Sequence, residues 1–243
     1  MDWSEERSMI WNLFKIEGMK LKRITWITPI LSGLLLLIVT IGEWYLFFRE
    51  GEGGVYASFN ALYLFVSISF LLTGNLLITM VVGTEHESKG WKQFLAAPLS
   101  KSHLYMVKLA WVVALILVQG FVFIIGWALI WHVYTTDPLP FLFLLKQVFY
   151  CIIATLPVLI IQFYLSIAFE NQAIPITIGV LGAIASLFLA RSQVNWLHYL
   201  PWSYPGLVTP FLPNHIHWLQ ISLGISTILL LFTNWLFYNK NWN

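Results

Sequence analysis

The chain has 243 residues, of which 59% are hydrophobic and 10% charged, with a formal net charge of +2. An average soluble chain carries about 25% charged residues, so this one cannot cover a water-facing surface, and so small a net charge gives no footing for a nucleic-acid partner. The single cysteine, Cys151, excludes an intramolecular disulfide and a cysteine zinc site.

Residues 3–23 read as an amphipathic helix. Trp3, Ile10, Leu13, Phe14 and Leu21 fall near one face, and Glu6, Asn12, Lys15, Glu17 and Lys22 are polar positions elsewhere. Ser4 is placed to cap it, and Glu5 and Glu6 favour the positive end of the helix dipole. Such a helix lies in the membrane interface, with Ile10, Leu13 and Phe14 among acyl chains and its lysines at headgroups. The alternative is a solvated charged leader that only sets topology.

Six apolar spans follow, at about 24–48, 56–83, 109–131, 147–169, 171–190 and 218–237. Each is near or above the ~20 helical residues that cross a bilayer. Helices are expected because lipid cannot satisfy an open backbone, and the period-2 alternation of a membrane barrel is absent. The first span starts too late and runs too long for a signal peptide, and no small-residue cleavage site follows it. Arg7, Lys15, Lys20, Lys22, Arg23, Lys89, Lys92, Lys101, Lys108 and Lys240 fall on one side of the membrane, against Arg49, Lys146 and Arg191 on the other. By the positive-inside rule both termini are cytoplasmic.

Charges return after the second span. Thr84 is placed to cap a short helix carrying Glu85 and Glu87, and Trp91, Phe94 and Leu95 form an i, i+3, i+4 apolar face that Pro98 ends. Ser100 can cap the helix running through Lys108 into the third span. A short amphipathic helix joined to two membrane helices is a mechanical handle; the plainer reading is a charged connector. Within the spans, Asn75, Gln119 and Gln162 suit helix–helix hydrogen bonds. Glu43, near the outer end of the first span, is expected to reach the interface. Before the last span, 191–217 holds Trp196, Tyr199, Trp202, Tyr204, Pro201, Pro205, Pro210 and Pro213 with one charge. It is too apolar for a free loop and too proline-broken for a span, so it should dip into the outer headgroup layer.

Catalytic signatures fail. His86-Glu87 begins an H-E-x-x-H string, but Gly90 stands where the second histidine is needed. Glu5-Glu6 resembles the paired glutamates of intramembrane CAAX-type proteases, but Ile10 replaces their arginine. No G-x-S-x-G elbow occurs, and no G-x-x-x-x-G-K-[ST] phosphate loop occurs, so ATP hydrolysis would belong to another polypeptide. His198, His215 and His217 read as interfacial histidines rather than metal ligands, and neither metal nor cofactor is expected.

An acidic pair, then Gly-x-x-x-x-Leu-x-x-Pro-x-Ser, then a lysine opening the third span, resembles the loop of ABC-2-type transporter permeases. Glu85, Glu87, Gly90, Leu95, Pro98, Ser100 and Lys108 carry the match. Length and span plan are similar to the permease subunits of lantibiotic self-protection and bacitracin-type export. Where many members have a small residue after the loop glycine, this chain has Trp91.

The resemblance implies an all-α integral membrane fold of six transmembrane helices with an N-terminal interfacial helix. It makes 1–243 one transmembrane domain, with a cytoplasmic interfacial helix (1–23), a cytoplasmic coupling loop (84–108) and an outer re-entrant segment (191–217). It implies a bacterial plasma-membrane exporter. Two permease chains, identical or paralogous, would pair with two ATPase subunits whose grooves receive Glu85, Glu87, Gly90, Trp91, Phe94, Leu95 and Pro98. Trp196, Trp202 and Pro205 would sit at an outer gate, and the cargo would be an antimicrobial peptide or similar amphipathic antibiotic. The alternatives are an ion-coupled secondary transporter, which needs ionisable groups near mid-membrane, a non-transporting scaffold or sensor subunit, and a membrane enzyme.

Overall fold

Long uncharged runs with no interior break but proline dictate long helices here. A computed structural model describes residues 3–48, 50, 54–87 and 101–239. The elements in chain order are α1 (Trp3–Lys20), α2 (Arg23–Glu43), α3 (Ser58–Glu87), α4 (Lys101–Tyr134), α5 (Phe141–Ala168), α6 (Ala173–Leu189), α7 (Tyr204–Leu207) and α8 (His215–Asn239). A π-helical turn, Trp44–Phe48, continues α2, and 3-10 turns cover Gly54–Ala57, Asn195–Tyr199 and Pro201–Ser203. Among the described residues there is no strand.

Five of these helices are long and apolar enough to cross a membrane, the shortest such stretch being the 22 residues Phe65–His86. The sixth apolar helix, α6, has 17 residues, about 25 Å at 1.5 Å per residue. It is short because Asn171 and Gln172 precede it and Arg191 follows it. The expected six-span plan is thus five long helices and one shorter one. The 34-residue α4 is about 51 Å long, more than the ~30 Å hydrocarbon core. Its first turns, bearing Lys101, His103 and Lys108, precede the uncharged part. Likewise α3 continues through Thr84 to Glu87. The ends of the expected 84–108 loop are therefore extensions of membrane helices.

Burial sorts the helices. In α3 and α5 61% of the spanning stretch is buried, against 33% in α2 and 22% in α8. So α3 and α5 form the middle of the bundle. The outer faces of α2 and α8, including Leu35, Ile38, Ile228 and Leu231, are exposed, as lipid-facing positions should be. Phe70, Phe123, Val112, Val148 and Phe163 are fully buried in the shared core. Because the helices alternate in direction, α1, the end of α3, the start of α4 and the end of α8 lie at one end of the bundle. Lys101 Nζ donates to the Tyr238 carbonyl at 3.4 Å, and Tyr105 Oη to Thr233 Oγ1 at 2.9 Å.

The first helix differs from expectation in what it faces. It begins at Trp3, ahead of the expected Ser4 cap. Leu13 is buried in the core, with Ile10, Phe14 and Leu21 packed on it. These are the side chains expected among acyl chains; they lie on the bundle instead. Gly18 is the reason: a Cβ there would overlap the Trp111 ring. Its absence lets Trp111 stack on Phe14 at 4.3 Å and donate its indole N–H to the Phe14 carbonyl at 2.9 Å. The opposite face of α1 exposes Trp11, Ile16 and Met19, with the Lys15 ammonium 5.4 Å from the Trp11 ring centre.

Candidate functional site

Two carboxylates and a lysine meet where α1, α3 and α4 converge. Glu17 comes from the last turn of α1, Glu85 from the last turn of α3, and Lys108 from the start of α4. They are 4%, 5% and 2% exposed. Lys108 Nζ donates to Glu85 Oε1 at 2.7 Å and also to Glu17 Oε2. Lys20 Nζ, at the rim, bonds the other Glu17 oxygen at 2.5 Å. Ions out of water carry a desolvation cost of several kcal/mol each, offset only by close pairing. Among the described residues two ammonium groups face two carboxylates here. Beside them the His86 ring N–H reaches the Ser166 carbonyl at 3.0 Å, tying α3 to α5.

This arrangement corrects two expectations. Glu85, expected to reach a partner's basic groups, is turned inward onto Lys108. The extension of α3 through Glu87 places the carboxylate on the inner face, within reach of Lys108. Glu17, assigned to the polar side of α1, belongs to the buried stripe. It is four residues from both Leu13 and Leu21 and three from Phe14, and such spacings share a helix face. A carboxylate inside an apolar stripe was the signal that a buried cation awaits it. Gly90, Trp91, Phe94, Leu95, Pro98 and the side chain of Glu87 lie outside the described residues.

At the other end, 203–209 is buried. Pro205 opens the single turn of α7, packed between α3, α5, α6 and α8. The run is held by its own polar groups: Tyr204 Oη donates to the Tyr199 carbonyl and Ser203 Oγ to the Leu197 carbonyl, each at 2.7 Å. Thr209 Oγ1 bonds Gln147 Oε1 of α5 at 2.7 Å. The three residues expected at an outer gate differ in burial. Trp196 is 66% exposed, Pro205 is buried, and Trp202 is half-buried on Gly182, where a Cβ would overlap its indole. His198 bonds the Ser192 carbonyl at 2.9 Å and His215 the Leu212 carbonyl at 2.6 Å, and His217 lies edge-on to Trp218. Among the described residues no cluster of three His, Cys, Asp or Glu side chains forms a metal cage.

Between the ends, the polar side chains link helices, as expected. Gln162 Nε2 donates to Asn75 Oδ1 at 2.7 Å and to the Pro175 carbonyl at 2.5 Å; Asn75 Nδ2 donates to the Ile176 carbonyl at 3.1 Å. Gln119 Nε2 donates to Ser69 Oγ at 2.9 Å. Two apolar grooves open sideways. One, of about 590 Å³, lies between α4, α5 and α8 and is edged by Phe14 of α1. Its hydroxyls are spent on their own helix, Ser226 on the Ser222 carbonyl and Thr227 on the Leu223 carbonyl. The other, of about 410 Å³, lies between α2 and α3. Both suit hydrocarbon and offer no reacting group.

The family described as ABC-2 family transporter protein matches residues 13–186, well over half of the chain. No curated protein matches the sequence.

Proposed function

Because the chain belongs to the ABC-2 transporter family, we propose that it is the permease subunit of an ATP-driven exporter, with hydrolysis carried out by a separate ATPase. The carrying observation is the family match, which runs from inside α1 through the loop after α3 into the last turn of α6. The lateral grooves and the absence of a phosphate loop in the sequence support the same division of labour.

In this reading two permease chains, identical or paralogous, pair in a bacterial plasma membrane with two ATPase subunits. Both termini are cytoplasmic, which the Lys and Arg asymmetry supports. The cargo is an amphipathic antimicrobial peptide, as in lantibiotic immunity; the chain's length and span plan, similar to those of such permeases, support that class. ATP-driven closure of the ATPases displaces the loop, and the helices carrying it shift the equilibrium between inward and outward states. Glu87, Trp91, Phe94 and Leu95 are the ATPase contacts, with Gly90 and Pro98 bounding them. Glu85 leaves that set, because it is engaged by Lys108.

The test is purification of the tagged permease from its native membrane, as wild type and as Trp91→Ala/Phe94→Ala. A Walker-type ATPase should accompany the wild type. Aromatic anchors at interface hot spots contribute about 2–4 kcal/mol each, so the double variant should lose the ATPase and with it protection against the peptide. Equal recovery and intact protection would sink the loop assignment. Absence of any ATPase from the wild-type preparation would sink the exporter reading.

A further inference from the structure

Helix packing at the loop-bearing end would be satisfied by apolar residues, and replacing buried ion pairs by such residues is often neutral or favourable for stability. In some proteins what a buried polar or ionic group supplies instead is register, because it has few acceptable partners. Here the partners sit on three separate elements. Glu17 is on α1, Glu85 is two residues from the end of α3, and Lys108 is eight positions into α4. α1 packs along α4 through Trp111, and a tie from α1 to α3 runs through the Lys108 ammonium.

We propose that Lys108 is a positioning residue that locks α1 to the two helices flanking residues 88–100, so that a displacement of the loop is carried into α1 as one body. The proposal rests on the loop being the point where the ATPase acts. It has a structural consequence. Phe14, one turn before Glu17, edges the 590 Å³ groove. A stroke delivered to the loop therefore reaches the wall of a lateral apolar groove without any contact between that groove and the ATPase. Lys20, at the rim, holds Oε1 of Glu17 and leaves Oε2 to Lys108.

Lys108→Met alone would strand two buried carboxylates, so the informative variant is Glu17→Gln/Glu85→Gln/Lys108→Met, which keeps volume and removes the charges together. Spin labels on Met19→Cys (α1) and Leu76→Cys (α3), both exposed positions, in a Cys151→Ala background report the distance between the two helices. In the wild-type complex that distance should form one narrow distribution, unchanged between the nucleotide-free and ATP-bound states. The triple variant should still co-purify the ATPase. Its distribution should broaden when ATP binds, and permease-stimulated ATP hydrolysis should fall about fivefold or more, the scale of an ordinary coupling between sites. A triple variant with the wild-type distribution in both states and undiminished stimulation would overturn the proposal. If the wild type brings down no ATPase, the exporter reading fails by itself. The same labels in the permease alone then decide the tie: broadening in the triple variant upholds it, and an unchanged distribution removes it.

Discussion

Gly179 and Asn75 occupy one another's space: a Cβ on the glycine would overlap the amide. That contact is what lets Asn75 Nδ2 reach the Ile176 carbonyl and hold its Oδ1 for Gln162. Gly179→Ala should therefore destabilise the bundle by about 1–3 kcal/mol, the usual cost of overpacking a filled site. The same change in an Asn75→Ala background should cost much less, because the obstructing group has gone. Unfolding in a denaturing-detergent titration measures both. Additive costs would show that the glycine and the amide do not compete. Removing the amide partner is a milder change: Gln162→Leu should cost about 0.6–1.7 kcal/mol, since hydrogen bonds between membrane helices contribute little more. That Asn75 and Gln162 bond between helices was legible in the sequence, because a polar group in hydrocarbon must find a partner. Which partner was not legible, because it depends on the rotation of α3 against α5 and α6. The same gap hid the meeting of Glu17 with Lys108, although the stripe position of Glu17 pointed to a buried cation.

Helix existence followed from hydropathy, and most boundaries agree to within a few residues. Polar residues prolong a helix beyond the apolar run at Thr84–Glu87 of α3 and Lys101–Lys108 of α4, whereas α5 starts earlier than expected, at Phe141, through the apolar residues ahead of Lys146. A hydropathy window cannot see the polar extensions, because ion pairing and packing support them in place of lipid. For α1 the periodic stripe was legible but its target was not. An apolar face suits acyl chains or a neighbouring helix equally, and Gly18 opposite Trp111 decides for the helix. Gly18→Val should push α1 off α4. Trypsin cuts after Lys20, Lys22 and Arg23 would then report the opening, since cleavage of a transiently opened segment tracks the open population when reclosing is fast. An overpacking cost of about 1.4 kcal/mol corresponds to about tenfold faster removal of the first helix. An unchanged rate would mean that α1 is held elsewhere. The lipid-facing test moves to the other face: Ile16→Asp/Met19→Asp should loosen α1 from the membrane surface while leaving its packing on α4 intact. Collisional quenching of a label on Trp11→Cys by a lipid-soluble quencher would read that change.

At the scale of the molecule, the directions of the helices and the placement of charge must agree. The alternation from α2 to α8 brings α1 and Asn239 to the same end of the bundle and leaves 191–214 at the other. The ten Lys and Arg assigned from the sequence to the first end include Lys15, Lys20, Lys101 and Lys108, while Arg49, Lys146 and Arg191 are assigned to the opposite one. Lys108 is buried against carboxylates, so it contributes less to surface charge than its count implies, yet the asymmetry survives without it. The proposed orientation rests on charge, because positive charge near the ends of apolar spans is retained on the cytoplasmic side, whereas the shared end rests on the fold. Single cysteines in a Cys151→Ala background separate the two. Met19→Cys and Asn239→Cys should resist an impermeant thiol reagent in intact cells and react after lysis, whereas Trp196→Cys, at a 66% exposed position, should react without lysis. Reversal of all three would leave the bundle intact and invert its orientation. Opposite behaviour of Met19→Cys and Asn239→Cys would instead require an odd number of crossings. The 17-residue α6 is the helix that result would indict, because at about 25 Å it is the one span that falls short of the hydrocarbon thickness unless the bilayer thins around it.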